Sequence, residues 1–171
     1  ALANDEPVVW IDCEDTFKPR RLKEIMLARE LATEENIDEK LSNVKYFYTP
    51  NTEQLLGTVD SLSKLMLEIH PRIVILDGAI GQFREEYLGR GTLSERQNQI
   101  ARLMTHIKNI SFYFRCVVLF TNQVQSDPSV MFGDPIKPIG GNIVAHASTY
   151  RVYLKKSGKK RIARMIDSPE H

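Results

Sequence analysis

Short apolar runs alternate along this chain with longer segments whose apolar positions recur at helical spacing. The runs that predict strands are 7–11, 44–48, 73–76 and 116–120, and all but 44–48 are expected to be buried. The segments with helical spacing are 19–32, 33–41, 51–69 and 92–110. Strands that alternate with helices indicate an α/β fold, here a mostly parallel twisted sheet with helices on both faces. Two last strand-like segments, 150–155 and 161–166, predict a hairpin that adds an antiparallel edge.

The stretch from residue 115 to residue 151 is the most distinctive part of the pattern. Its apolar run, 116–120, predicts a strand buried on both faces and ends in Thr121-Asn122-Gln123. Residues 125–140 follow, rich in Pro and Gly, with Met131 and Phe132 isolated among them. A long loop without structure of its own is usually functional or disordered. We therefore expect a polar strand end joined directly to a functional loop.

Polar side chains end three of the predicted strands. They are Asp12 and Glu14, then Asp77, and then Asn122 with Gln123. Taken singly, each is more often a solvated turn or a helix cap, but the carboxyl ends of parallel strands converge on one edge of a sheet, where α/β proteins bind ligands. An aspartate after four apolar residues is typical of a site for hydrated Mg²⁺ in phosphate transfer. A nearby glutamate can orient water, and a glutamine can sense a terminal phosphate.

The segment 81–91 predicts a glycine-marked connection with basic and aromatic side chains. Its Arg84 and Arg90 suit contacts with nucleic-acid phosphates, although a solvated charged loop explains them equally well. Thr92-Leu93-Ser94-Glu95 matches a capping box and predicts the start of a long helix buried through Leu93 and later apolar positions.

Composition limits the possible partners and compartments. With 171 residues, 42% hydrophobic residues and a formal net charge of +1, the chain is one domain or most of one, and any nucleic-acid site must be a local patch. Cys13 and Cys116 lie in strand-like runs and predict buried free thiols in a reducing compartment. No apolar stretch is long enough for a membrane span. We expect an intracellular, soluble protein without a membrane partner.

A nucleotide site of this kind also needs a phosphate-binding loop, G-x-x-x-x-G-K-[ST]. No segment matches that pattern, because Gly78 and Gly81 are too close together and lack the lysine. The expectation from the sequence is a chain that begins after this loop.

Several long motifs resemble one family, the RecA-like strand-exchange recombinases in their archaeal RadA and eukaryotic branch. The motifs lie at 9–19, 83–97, 121–124, 138–149, 161–164 and 167–169. The resemblance implies a RecA-like ATPase core over residues 1–171, incomplete at both ends. For the intact protein it also implies a DNA-dependent ATPase that uses ATP and Mg²⁺, forms helical filaments or rings, and binds single-stranded and double-stranded DNA. ATP hydrolysis by this chain alone stays open, because it has no phosphate-binding loop.

The resemblance assigns roles to individual residues. Glu14 matches the glutamate that activates water, Asp77 the aspartate that holds magnesium through water, and Gln123 the glutamine that couples the nucleotide to the DNA-binding loop. Arg84, Tyr87, Arg90 and Arg96 match the first DNA-binding loop of the family and its flank. Residues 125–141 match the second DNA-binding loop, with Met131, Phe132, Gly140 and Gly141 as its DNA-binding positions. Met131 and Phe132 would wedge between bases, or else fold back onto the core. The positions that contact ATP across a protomer interface are His146, Asp167, Ser168 and Pro169.

Departures from the family pattern keep other hypotheses open. Cys13, Asp15 and Gly78 stand where the family usually has other residues, and the Phe-x-x-Ala oligomerisation tether is absent. The preferred hypothesis is the ATPase core of a recombinase. The alternatives are a non-hydrolysing paralogue or mediator that binds DNA or recombinase, and a truncated scaffold for Phe-x-x-Ala peptides.

Overall fold

A computed structural model of the protein describes residues 1–126 and 136–170, without the side chain of Arg90. The strands are β1 (Val8–Asp12), β2 (Val44–Tyr48), β3 (Ile73–Asp77), β4 (Val117–Phe120), β5 (Val124–Ser126), β6 (Ile136–Pro138), β7 (Arg151–Ser157) and β8 (Lys160–Asp167). The α-helices are α1 (Pro19–Ala28), α2 (Ile37–Ser42), α3 (Thr52–Ile69), α4 (Ala79–Glu86), α5 (Leu93–Phe114) and α6 (Gly141–Ala147).

A parallel four-stranded sheet forms the centre of the molecule, in the order β2-β1-β3-β4. The register places Asp12 beside both Tyr48 and Asp77, so the strands end at nearly the same level. Helices flank this sheet, and the predicted α/β fold class, RecA-like with a mostly parallel sheet, is confirmed.

The main hydrophobic core lies between one face of the sheet and the helices α3, α4 and α5. Side chains at alternate strand positions point to the same face, and those of Val9, Ile11, Val74 and Leu76 are buried in this core. Long helix α5 contributes the predicted apolar positions Ile100, Leu103, Met104, Ile107 and Ile110. Fully burying one such side chain stabilises the fold by about 2 kcal/mol, so this layer fixes the sheet that carries the polar strand ends.

Strand β4 is not buried on both faces, so that prediction was wrong. Val117 is 55% exposed and Leu119 is 47% exposed. Val118 and Phe120 pack against the core from one face of β4, whereas Val117 and Leu119 lie on the opposite face, which the described elements leave exposed. An apolar run thus predicted the strand but not the covering of its second face.

Several helix predictions differ from the structure, and α1 ends at Ala28 rather than at residue 32. Residues 79–86, predicted as part of a connection or strand end, form α4. Helix α2 begins at Ile37, after a turn in which the Thr33 amide donates to the Asn36 side chain. The predicted capping box does not form, because the Thr92 hydroxyl donates to the carbonyls of Leu88 and Gly89, and Leu93 is 45% exposed. Asn51, in contrast, caps α3 by accepting from the amide of Gln54.

The last two strands form the predicted antiparallel hairpin, which turns at Gly158. In the described residues this hairpin is a two-stranded sheet of its own rather than an added edge of the central sheet. Strands β5 and β6 form a second small antiparallel ladder, across the ends of the stretch that was predicted as a structureless loop.

Both cysteines are free and buried, as predicted. None of the described helices is long and apolar enough to cross a bilayer.

Candidate functional site

The polar ends of β1, β3 and β4 meet at the carboxyl edge of the sheet, as the sequence predicts. The backbone continues the strand pairing there, since the amide of Cys13 donates to the carbonyl of Asp77 and the amide of Thr121 to the carbonyl of Leu76. This pairing brings the segments that follow all three strands within reach of one another.

Asp12 is buried and serves as an internal acceptor. Its carboxylate accepts from the amides of Glu14 (3.0 Å) and Phe17 (2.8 Å) and from the hydroxyl of Tyr46 (3.3 Å). Burial alone would raise the pKa of Asp12, but the hydrogen bonds from these amides, from the Thr16 amide and from Tyr46 outweigh it and hold the pKa below its usual value. Asp12 therefore fixes the turn that presents Glu14.

Glu14 is exposed and contacts the predicted coupling residue directly. The side-chain amide of Gln123 donates to Glu14 Oε1 at 2.9 Å. The carboxylate stem of Glu14 lies against Gly78, whose φ is +79° and where a Cβ atom would overlap the Cγ atom of Glu14. Glycine is needed there both for the backbone conformation and for the space that Glu14 occupies.

Asp77 is half-buried, and threonine hydroxyls orient its carboxylate. Thr121 Oγ1 donates to Asp77 Oδ1 at 2.6 Å and accepts from the amide of Gly78 at 2.9 Å. Thr16 Oγ1 lies 3.4 Å from Asp77 Oδ2 and donates to it. Sequence reasoning missed both threonines, although Thr121 opens the polar triplet after β4.

The donors around Asp77 fit Mg²⁺ better than a softer metal. Carboxylate and hydroxyl oxygens are hard donors, and Mg²⁺ usually keeps several waters beside one or two carboxylates. Within the described part of the chain, His, Cys, Asp and Glu side chains do not form a group of three that could hold a metal alone. The arrangement suits a hydrated ion shared with a phosphate ligand.

A second glutamine, which sequence reasoning did not single out, lies beneath Glu14. The side-chain amide of Gln82 donates to the carbonyls of Cys13 and Thr49. Cys13 Sγ and Thr49 Oγ1 are 3.3 Å apart, and burial raises the pKa of the Cys13 thiol to about 11. Gln82 lies three residues after the buried Ala79, so the two share one face of α4. The inward position of Gln82 was predictable only if residues 79–86 had been recognised as a helix.

The residues predicted for the first DNA-binding loop lie on α4 and at the start of α5. Arg84 is exposed on α4, and Tyr87, which follows this helix, stacks on Phe83 with ring centroids 6.4 Å apart. Arg96 is half-buried on α5. Arg90 begins a 3-10 turn, and its side chain lies outside the described part of the structure.

The second predicted DNA-binding loop is closed at its base by hydrogen bonds. Asn122 Nδ2 donates to the carbonyl of Ile139 at 2.7 Å, and the amide of Ile139 donates to the carbonyl of Gln123 at 3.0 Å. Gly140 has φ of +90°, and a Cβ atom there would overlap the side chain of Val144, whereas Gly141 begins α6 and is exposed. Met131 and Phe132 lie outside the described residues.

The positions predicted to contact a neighbouring protomer's ATP lie on α6, at the end of β8 and in the segment after it. His146 is exposed on α6. Asp167 accepts from Arg151 at 2.7 Å, the buried Ser168 accepts from the amide of Glu170 at 3.1 Å, and Pro169 is exposed. In residues 1–126 and 136–170, hydrogen bonds do not join these side chains to Glu14 or Asp77.

Comparisons with known proteins agree with this geometry. A family model described as Rad51 matches residues 3–171. The DNA repair and recombination protein RadA of Cenarchaeum symbiosum is 41% identical over 165 residues, which cover 96% of this chain and 40% of that protein. The RadA proteins of Methanocorpusculum labreanum and Methanoculleus marisnigri are 40% and 39% identical, over 94% and 95% of this chain and 53% and 52% of their own lengths. The chain spans about half the length of the curated relatives it matches. It belongs to the Rad51 family of RadA-type recombinases.

Proposed function

We propose that this chain is the ATP-hydrolysing core of a DNA strand-exchange recombinase, which assembles as a filament on single-stranded DNA and pairs it with duplex DNA. The observation that carries this proposal is the contact between Gln123 and Glu14 at 2.9 Å, beside Asp77 and at the base of the loop after β4. One hydrogen bond there joins a carboxylate suited to activate water with a segment suited to bind DNA.

In the proposed reaction, Asp77 would hold hydrated Mg²⁺, and Thr121 keeps the Asp77 carboxylate oriented. Bound Mg²⁺ would supply charge neutralisation on the phosphates during transfer. Glu14 orients the attacking water and accepts its proton on a carboxylate oxygen. Exposure suits Glu14 to this role, because its carboxylate is held on one side by Gln123 and is open on the other.

Gln123 gives the site a connection to the DNA-binding loop. Its main-chain carbonyl accepts from Ile139 at the far end of that loop, while its side chain contacts Glu14. Contact between DNA and this loop would therefore shift Gln123 relative to Glu14 and change the freedom of that carboxylate. His146, Asp167, Ser168 and Pro169 would complete the ATP site from a neighbouring protomer.

Two surfaces support DNA binding. Arg84, Tyr87, Arg90 and Arg96 supply charge and an aromatic ring along α4, the 3-10 turn and α5. The β7–β8 hairpin carries basic residues on both sides of its turn, at Lys155, Lys156, Lys159, Lys160 and Arg161. Contacts of these kinds fix the DNA backbone without selecting a sequence, which suits pairing of any homologous strands.

One observation favours a non-hydrolysing mediator as the second candidate. The bond from Gln123 occupies one oxygen of Glu14 and competes with a water at that position. In such a protein the same surfaces would bind DNA or recombinase without turnover. Docking of Phe-x-x-Ala peptides stays a prediction.

ATP turnover by the intact protein tests the proposal, measured with and without single-stranded DNA. Glu14→Gln and Asp77→Asn should each lower the DNA-stimulated rate by about 100-fold or more, because they remove the base and the metal-holding carboxylate. Glu68→Gln, at an exposed position on α3, is the matched control and should leave the rate unchanged.

The outcomes separate the candidates. Full turnover in either variant overturns the enzymatic assignment. Wild-type protein that binds single-stranded DNA without ATP and does not hydrolyse ATP identifies the mediator instead.

A further inference from the structure

Gln82 is a polar residue in a position that packing alone would fill with an apolar side chain. It is 7% exposed and lies on the inward face of α4 with Ala79 and Phe83. Its side-chain amide donates to the carbonyls of Cys13 and Thr49, while its Oε1 atom is buried without a hydrogen-bond partner. A buried acceptor without a partner is costly, so hydrophobic filling of the site does not account for the residue.

The hydrogen bonds of Gln82 act on the peptide unit that leads into Glu14. The carbonyl of this unit, from Cys13, accepts from Gln82 at 3.1 Å, and its amide, from Glu14, donates to Asp12 at 3.0 Å. The peptide is therefore held from both sides, by β1 through Asp12 and by α4 through Gln82. Movement of α4 changes the second of these constraints and leaves the first in place.

The same short helix carries residues proposed to bind DNA. Arg84 is exposed two positions after Gln82, and Tyr87 follows the end of the helix. A hydrogen-bonded helix of eight residues moves as a unit, so a force applied at Arg84 reaches Gln82. Gln123 approaches Glu14 from the other DNA-binding loop, through the carboxylate rather than through the backbone.

We propose that Gln82 is a positioning residue that couples DNA contact at α4 to the placement of Glu14. This inference rests on the proposed function, because it concerns the same site. The position of Glu14 is then determined by two glutamines, Gln82 and Gln123, one from each DNA-binding segment. Full ATPase activity requires both segments to contact DNA.

The test uses the intact protein with Gln82→Met, which keeps the length of the side chain and removes both donated hydrogen bonds. The ratio of ATP turnover with single-stranded DNA to turnover without it should fall about tenfold, the size of a typical coupling between sites. Affinity for single-stranded DNA should stay within about twofold, because Arg84 and Tyr87 are retained. Gln54→Met, the same change at an exposed position of α3, should leave the ratio unchanged.

Hydrogen exchange distinguishes positioning from loss of stability. In wild-type protein, DNA should change the protection of the Glu14 and Phe17 amides, and in Gln82→Met this response should be absent while the amides of α5 keep their protection. If Gln82→Met unfolds at the assay temperature, Gln82→Asn, which retains a shorter amide, takes its place and should give a smaller loss of stimulation.

An unchanged stimulation ratio in a folded Gln82 variant overturns the inference and leaves the proposed function intact. Equal losses of DNA affinity, stability and turnover also overturn it, because they indicate a structural role. Wild-type protein without DNA-stimulated turnover overturns both the inference and the proposed function.

Discussion

Asp12 and Asp77 show how far single residues can be interpreted from the pattern alone. Both follow apolar residues at the ends of neighbouring strands, so the sequence pattern alone gives no basis for predicting different environments for them. The fold distinguishes them. Asp12 is buried and accepts from two backbone amides and the Tyr46 hydroxyl, whereas Asp77 is half-buried and, in the described residues, its carboxylate accepts from the hydroxyls of Thr16 and Thr121. Periodicity predicts that a side chain lies at a strand end, but not which atoms will surround it.

Replacing the buried carboxylate should reduce stability in a pH-dependent way. We expect Asp12→Asn to lower the free energy of unfolding of the intact protein by about 2 kcal/mol at pH 7, because hydrogen bonds to a charged acceptor are lost. The folded-state pKa of Asp12 is below its usual value of 3.8, so its carboxylate stabilises the fold above that pH and loses this effect as the pH falls through the lowered value.

Denaturant unfolding of both proteins at a series of pH values measures this difference. The gap between wild type and variant should narrow in the acid range below pH 3.8. A gap that is constant across the series would show that the charge of Asp12 contributes nothing.

At the level of elements, strands were easier to predict than helix boundaries. All four central strands begin and end within one residue of the predicted apolar runs, because a continuous apolar run leaves few alternatives. Helix α4 was missed because Gly78, Gly81 and the charged residues after them suggested a connection. What stabilises α4 is tertiary: Ala79, Ile80 and Phe83 are buried in the core, and such packing overrides local propensity.

Helices α3 and α4 are tied together by one carboxylate. Glu86 accepts from the amide of Thr52 at 2.8 Å and from the hydroxyl of the same residue. We expect Glu86→Ala to lower the free energy of unfolding by about 1 kcal/mol, because the first turn of α3 loses both an acceptor and a favourable negative charge.

Thermal or denaturant unfolding checks this value, with Glu85→Ala as the matched control. Glu85 is the exposed neighbour on α4, and its replacement should change the stability by less than about 0.5 kcal/mol. Equal changes in the free energy of unfolding for the two substitutions would show that the hydrogen bonds from Thr52 to Glu86 do not contribute to stability.

For the whole molecule, the acidic and basic residues nearly cancel in number but are unevenly distributed over the structure. The formal net charge is only +1, yet basic residues are concentrated at the turn of the β7–β8 hairpin. Composition could not indicate such a surface. The hairpin also leaves Val152 and Leu154 exposed, and the open side of the sheet leaves Val117 and Leu119 exposed.

Neutralising the hairpin should weaken DNA binding in a salt-dependent way. We expect the intact protein with Lys155, Lys156, Lys159 and Lys160 changed to Gln to bind single-stranded DNA less tightly. The slope of log affinity against log salt should decrease by about 0.7 for each phosphate contact that is lost. Titrations at several salt concentrations measure that slope. Lys64→Gln with Lys108→Gln, both at exposed positions on α3 and α5, form the control, and a slope equal to theirs would exclude the hairpin from the DNA surface.

The close contact between Gly78 and Glu14 links two positions that lie far apart in the sequence. A side chain at position 78 would occupy the space of the glutamate stem, so a larger residue cannot be introduced there while Glu14 keeps its position. A chimera that transplants the segment around Glu14 into a homologue with a larger residue at the equivalent of Gly78 would have to bring the glycine with it. For protein engineering, the functional unit is therefore the pair, and it should be moved between relatives as one module.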